Sequence, residues 1–409
     1  MLALAWSVYA VFGMISATLP ALITPIRRDI PLTYGEAGMI LGAWQLIYIP
    51  VSYPAGLFID RIGTRKALTL GAILIAISGV TRAFANDAVG LFLSVAIFGL
   101  GGPIVSIGLP KVIASWFLGR PRAIASGIYT TGSTTGNVAA LALTSSYILP
   151  ALESWRAVCI LYGAIVACIA AVWWLLSREP YDARPGRPGM GASGGMGPGA
   201  TGTAGDGGTG ATDAESAWGA VLRTPAVWLV VIVGFTGFMI GHGFRSWLPQ
   251  ILEAKGMGAA DAGYLAALPG VASIAGAIVI TRVAARGGRK PIVGLLLVIV
   301  AACIAVVDWV GGSALVAVLL VQGFCSGAIL PLLVSMLMDL REVGASAMGA
   351  AAGLYFAVGE VGGFAGPSMM GLLKDWTGGF TAGLLLLTAI TLAMLVPTAM
   401  LRETRRPQV

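Results

Sequence analysis

The chain has 409 residues, of which 57% are hydrophobic and 11% charged, with a formal net charge of +7. No water-soluble fold hides that much apolar surface behind so few charges, so lipid is the solvent for much of it. The basic balance does not point to nucleic acid, because the bases lie in short segments between apolar runs, where the preference of Lys and Arg for the cytoplasmic side accounts for them.

Apolar runs of spanning length follow one another from the start: 4–26, 35–58, 67–84, 88–115, 124–149 and 155–177, then 226–250, 261–282, 291–309, 313–338, 346–371 and 379–401. Each is long enough for ~30 Å of hydrocarbon at 1.5 Å per residue. Between the two sets, the stretch from Arg184 to Asp213 is mostly Gly, Ala, Thr and Pro and cannot bury a core. The pattern predicts an all-α membrane protein of twelve transmembrane helices. Residues 1–177 form one six-helix half, 178–224 a Gly-rich linker and 225–409 a second six-helix half.

Orientation follows from the bases. With the N-terminus inside, Arg61, Arg65, Lys66, Arg120, Arg122, Arg178, Arg184, Arg187, Arg223, Arg282, Arg286, Arg289, Lys290, Arg341, Arg402, Arg405 and Arg406 are cytoplasmic. Only Arg27, Arg28, Arg82, Arg156, Lys255 and Lys374 fall on the other side. That bias places both termini and the linker in the cytoplasm of a multi-pass inner-membrane protein. The first charge is Arg27, so there is no basic n-region of a signal peptide, and whether Met1 is the true start stays open.

Several chemistries lack their residues. Cys159, Cys168, Cys303 and Cys325 sit inside apolar runs without a C-x-x-C pair and read as small buried hydrophobes. Neither G-x-x-x-x-G-K-[ST] nor H-E-x-x-H occurs, so ATP-driven transport and zinc hydrolysis have no support. An enzyme is not expected, nor a cofactor.

The loop after the second run carries the most information. Gly56, Asp60, Arg61, Gly63, Arg65 and Lys66 stand in the spacing G-x-x-x-D-R-x-G-x-R-K. The glycines allow close helix approach and a tight turn, and Asp60 can cap a helix or pair with a base. A weaker echo, Arg282 to Lys290, follows the eighth run with its basic end intact and its acid missing, as a duplicated six-helix unit would leave it. The first loop closely resembles that between helices 2 and 3 of the major facilitator superfamily. The resemblance implies a secondary transporter with two pseudo-symmetric halves that rock about a midplane site. It also implies a gating role for Gly56, Asp60, Arg61, Gly63, Arg65 and Lys66, as a latch of the outward-facing state. On a plain reading the three bases only set orientation.

Charges inside the predicted spans sharpen the function. Lys111, Arg245 and Glu360 each cost roughly 2.5–3.5 kcal/mol to insert, so function is their default explanation. In the implied fold, helices 1, 4, 7 and 10 line the central cavity. Lys111 and Arg245 fall on two of them, and two cations facing one cavity would attract an anion. Arg245 suits a carboxylate, which a guanidinium holds through two parallel hydrogen bonds, unless it lies nearer the external end, where it snorkels or forms an outer gate. His242 shares its helical face, three residues earlier, either as a substrate contact or as an interhelical hydrogen bond without a ligand. Lys111 either joins Arg245 or snorkels to the interface. Glu360 is either a proton-coupling group or the structural partner of a cation. Gln45 and Gln322 are polar at span depth and, with Tyr48 and Tyr355, complete the candidate substrate contacts. Tyr9, Trp44 and Phe238 are further aromatic candidates. Gly127, Gly132, Gly136, Gly359, Gly363 and Gly366 let helices approach and slide.

Leu109, Pro110, Lys111, Trp116, Phe117, Ser126, Gly127 and Tyr129, with Trp247, Leu248 and Pro249, resemble the cyanate/nitroimidazole branch of the superfamily. Trp116, Phe117, Arg120, Ala123 and Gly127 equally resemble the oxalate/formate and monocarboxylate branch. Both imply a small anionic solute, moved by a monomer in the lipid bilayer, with protons as the candidate coupling ion and no nucleic acid as partner. The competing function is a proton-coupled exporter of drugs. Such exporters carry R-x-x-x-G-x-G in helix 4, where Gly99 and Gly101 fit but Val95 takes the arginine's place.

Overall fold

A computed structural model describes residues 1–178, 218–219, 221–340 and 343–401. The regular structure of these residues is helical throughout. The first six long helices are α1 (Leu2–Asp29), α2 (Tyr34–Ile62), α3 (Thr64–Arg82), α4 (Ala88–Trp116), α5 (Arg120–Leu143) and α6 (Trp155–Leu176). The second six are α7 (Pro225–Ala254), α8 (Ala259–Gly287), α9 (Arg289–Val306), α10 (Gly312–Met338), α11 (Gly344–Thr377) and α12 (Thr381–Ala393). A π-turn, Thr144–Ile148, and a short turn, Leu149–Leu152, prolong α5, and Leu395–Met400 prolongs α12. Most of the Gly-rich linker, with Arg184 and Arg187, lies outside the described residues, as do Arg341, Arg402, Arg405 and Arg406.

Local chemistry sets the helix starts. Thr33 and Glu36 form a reciprocal cap on α2, the Thr33 hydroxyl accepting the Glu36 N–H at 3.1 Å and the Glu36 carboxylate the Thr33 N–H at 2.8 Å. Asp87 caps α4 by accepting the Gly90 N–H at 2.7 Å. The α2–α3 and α8–α9 turns each pivot on a glycine with positive φ, Gly63 at 86° and Gly288 at 94°. That shared geometry gives the sequence echo a structural counterpart.

The packing repeats as well. In the first half α1 lies on α5, α2 on α4 and α3 on α6; in the second, α7 lies on α11, α8 on α10 and α9 on α12. This is a pseudo-symmetric pair of six-helix units. Bare backbone makes the closest contacts. A Cβ on Gly136 of α5 would stand 1.8 Å from the Ala10 carbonyl oxygen of α1, and one on Gly366 of α11 would stand 2.2 Å from the Met239 carbonyl oxygen of α7.

The halves meet along α2–α11 and α5–α8, and among the described residues their closest backbone approaches lie toward one end. A Cβ on Gly38 would lie 2.4 Å from the Pro367 carbonyl oxygen, one on Gly371 2.1 Å from that of Tyr34, and one on Gly263 2.5 Å from that of Leu141. Toward the end bearing the Asp60 loop, a Cβ on Gly56 or Gly127 meets open space. Among the described residues the bundle is therefore closed at the Tyr34 end, and no comparable backbone approach is found at Gly56 or Gly127 of the basic end.

Two helix ends and one side chain differ from the sequence reading. Helix α11 runs on to Thr377, because Gly378, at φ 75°, supplies the left-handed stop only there, and Lys374 and Asp375 belong to the helix. Helix α12 breaks at Met394 before a short turn containing Pro397. Arg82, read as a solvent-side base, is the last residue of α3 and only 2% exposed. It is wedged against α1, where its guanidinium donates to the Ile15 carbonyl at 3.0 Å and to the Ser78 hydroxyl at 3.3 Å. It is a third intramembrane cation that a count of apolar runs overlooks.

Candidate functional site

Between the halves lies a cavity of about 440 Å³. Among the described residues that line it, Arg245 is the one charged side chain, and His242 lies beside it one turn back on α7. No described residue offers Arg245 a hydrogen bond or ion pair. Its donors face the cavity and are free for an anion.

The rest of the lining is divided by chemistry. Helix α5 contributes Ser133, Thr134 and Asn137, and α7 contributes Ser246 beside Arg245. None of these four makes a side-chain hydrogen bond with a described residue. Ser16, Ser273 and Ser326 also line the space, but each donates to a carbonyl of its own helix, leaving only acceptor capacity. One wall is aromatic: Trp44 stands edge-on to His242 with ring centroids 5.6 Å apart, and Phe238 packs between His242 and Tyr355 at 6.1 Å from each. The site joins a free guanidinium, a row of unengaged hydroxyls and an amide, and an apolar face.

The structure brings Arg245, His242 and Tyr355, with the aromatic candidates Trp44 and Phe238, into this cavity and places Lys111, Tyr48, Gln322, Gln45 and Glu360 elsewhere. Helix α4 lends no lining residue. Its Lys111 reaches back to α2 near the basic end, 2.6 Å from the Asp60 carboxylate and 3.4 Å from the Gly56 carbonyl. The assignment of Lys111 to the solute site is therefore corrected: the phase of α4 points the side chain at α2, where an acid neutralises it. Tyr48 is turned to α4, its hydroxyl 2.7 Å from Ser106. Gln322 is buried in α10 at 4% exposure, off the cavity wall.

Gln45 and Glu360 lie behind the cavity, where α2 crosses α11. Gln45 donates to the Gly363 carbonyl at 3.4 Å, across the seam. A Cβ built on Gly363 would meet the His242 ring at 3.0 Å, Glu360 Oε2 at 3.2 Å and Gln45 Cγ at 3.3 Å, so the three side chains converge there. Gln45 Oε1 and Glu360 Oε2 are buried without a hydrogen-bond partner among the described residues.

The loop residues lie apart from the site. Arg65 stacks on Trp174 and donates to its carbonyl at 2.6 Å, an anchor to α6 within its own half. Asp60 is held by Lys111, also in its own half. Among the described residues, the loop makes no hydrogen bond or ion pair with the second half.

The family model of the Major Facilitator Superfamily matches residues 4–367, with a second, overlapping match over 261–409. The chain belongs to the Major Facilitator Superfamily. As a member it is a multi-pass membrane transporter rather than an enzyme. Over 91% of the chain and 86% of the other protein, it is 24% identical to "Uncharacterized transporter YycB" of Bacillus subtilis. It is 26% identical to "D-galactonate transporter" of Escherichia coli O6:H1, over 90% of the chain and 86% of that protein. It is 23% identical to "Putative tartrate transporter" of Agrobacterium vitis, over 92% of the chain and 84% of that protein. Among solved structures, the superfamily fold is matched by a bacterial homolog of the human lysosomal transporter Spinster, inward-facing and unoccupied, with a TM-score of 0.76 and 17% identity over 98% of this chain and 95% of that one.

Sequence reasoning overlooked Ser133, Thr134 and Asn137. The signal was present: Ser133, Thr134, Thr135 and Asn137 interrupt the fifth apolar run. Ten of the helices are long and apolar enough to cross a membrane, and α2 and α5 are not among them. A span short of apolar residues is one that faces something other than lipid.

Proposed function

We propose that this transporter carries a small hydroxylated carboxylate, of the sugar-acid or tartrate kind, by alternating access. One observation carries the reading: Arg245 stands free in a cavity whose opposite wall is the unengaged row of Ser133, Thr134 and Asn137. The guanidinium matches a carboxylate through two parallel hydrogen bonds, and the row matches hydroxyls at the other end of the solute. The names of the galactonate and tartrate relatives support a carboxylate. Of the two branches that the sequence resembles, they favour organic acids over cyanate.

The basic end is cytoplasmic, by the bias of Lys and Arg, so the cavity described opens inward and the Tyr34 end is the outer gate. Residues 1–177 and 225–409 are the rocking halves and 178–224 the cytoplasmic linker. Asp60, Arg61, Arg65 and Lys66, with the turn glycines Gly56 and Gly63, serve the inner gate, and the Lys111–Asp60 pair keeps the acid occupied while that gate is open. Glu360 carries the coupling proton, seated beside Gln45 at the seam and behind His242. His242 positions the cargo against the aromatic wall. The chain works as a monomer in the inner membrane. The unpaired cation and Val95 in helix 4 weigh against export of cationic drugs.

A thermal-shift panel on purified protein tests the cargo. D-galactonate and tartrate should raise the melting temperature, and galactitol, cyanate and nitroimidazole should not. Stabilisation by galactitol equal to that by galactonate would remove the carboxylate from the reading.

A further inference from the structure

The closed end of the bundle is held by more than packing. Asp375, on the last turn of α11, sits over the first turn of α2 in the other half. Its carboxylate accepts the Tyr34 N–H at 2.9 Å and the Gly35 N–H at 2.7 Å. These are amides that a helix start leaves unpaired, and the positive end of the helix dipole adds to the attraction. Tyr34 itself enters a box made by the second half, its ring 5.8 Å from that of Trp247 and 5.9 Å from that of Phe380, with the Lys374 ammonium 5.4 Å from its centroid. A second polar tie lies close by, where the Thr24 hydroxyl of α1 donates to Glu253 of α7 at 2.6 Å.

We propose that Asp375 is the releasable clasp of the gate at this end, and that its grip on the start of α2 sets how often the cavity opens there. Besides the Lys374 ammonium over the Tyr34 ring, the other close α2–α11 contacts at this end are uncharged approaches of glycine, at Gly38 and Gly371 to backbone and at Gly35 to the Leu372 side chain. Asp375 is exposed, so water replaces Tyr34 and Gly35 when the helices part, and salt weakens the clasp. The inference rests on the alternating-access reading but is independent of the cargo.

The test needs no solute. In a background with Cys159, Cys168, Cys303 and Cys325 changed to Ser, Leu41→Cys places one thiol in the cavity wall beneath the seam. A membrane-impermeant maleimide is added from the Asp375 side. Asp375→Ala should raise the labelling rate roughly tenfold, and Asp375→Asn should fall between, because its amide oxygen still accepts one N–H. Raising salt from about 0.05 to about 0.5 M should speed labelling with Asp375 present and leave the Ala variant unchanged. A cap that only stabilises α2 would lower the melting temperature without altering labelling from this side. Equal labelling in Asp375→Ala and its parent overturns the proposal. If the Ala variant does not reach the membrane, an Asn variant with the parent's rate and salt dependence overturns it equally. Failure of the carboxylate panel with this labelling pattern intact would sink the cargo reading and leave the clasp standing.

Discussion

Replacing Arg245 tests the cargo chemistry most directly. Its guanidinium has no described partner, so a bound carboxylate would be its first. Two unit charges 4 Å apart at an effective dielectric constant near 20 attract by about 4 kcal/mol. Desolvation offsets part of that, and hydrogen bonds to charged groups leave a net of roughly 1.5–3 kcal/mol. Arg245→Ala should therefore weaken binding of D-galactonate or tartrate by about 10- to 150-fold in calorimetry on detergent-purified protein. Arg245→Lys keeps the charge but loses the planar fork, so its affinity should fall between the two. The free protein loses no internal ion pair in either variant, so the melting temperature without solute should hold or rise, an intramembrane charge being costly by itself. Wild-type affinity in Arg245→Ala would refute the assignment, and so would a Lys variant as weak as the Ala variant.

Three further outcomes separate the remaining roles. Asn137→Ala should weaken a hydroxylated acid by about 2- to 12-fold and leave glutarate, which has no hydroxyl, unaffected in the same calorimeter. Glu360→Gln should abolish accumulation driven by a pH gradient in proteoliposomes while exchange of labelled for unlabelled solute persists; accumulation that still follows the gradient would exclude Glu360 as the proton carrier. Lys111→Gln removes an ion pair whose side chains are 27% and 54% exposed, a class worth at most about 1 kcal/mol. Solute affinity should then stay within about twofold, and a larger loss would return Lys111 to the binding site.

The sequence carried the architecture well because hydropathy and the placement of bases are signals written along the chain. Twelve runs, the Gly63 turn and its echo at Gly288 all have counterparts in the structure. Arg245 was legible for the same reason, as a cation where lipid forbids one. Lys111 carried an identical signal, yet its direction depends on helical phase and on where α2 lies, and neither is written in a hydropathy pattern. Arg82 escaped notice because it ends a span, where a cation ordinarily reaches water, and only the packing of α1 against α3 buries it. Asp375 was missed because the apolar run ends before it, while the helix continues until Gly378 supplies the stop. Ser133, Thr134 and Asn137 were not singled out, though four polar side chains within five positions of one span mark a wetted face.

That wetted face has a consequence for how the protein is made. A nascent helix enters the bilayer by its own affinity for lipid, and α5 is deficient in it. Helix α1 is already in place when α5 emerges, and bare glycines at Gly13, Gly132 and Gly136 let the two backbones touch. Docking on α1 shields one side of the newcomer. A contact formed across more than a hundred residues of chain is therefore expected to hold α5 in the bilayer, and a bulky side chain at Gly136 should show first as poor insertion of α5, before any solute is moved.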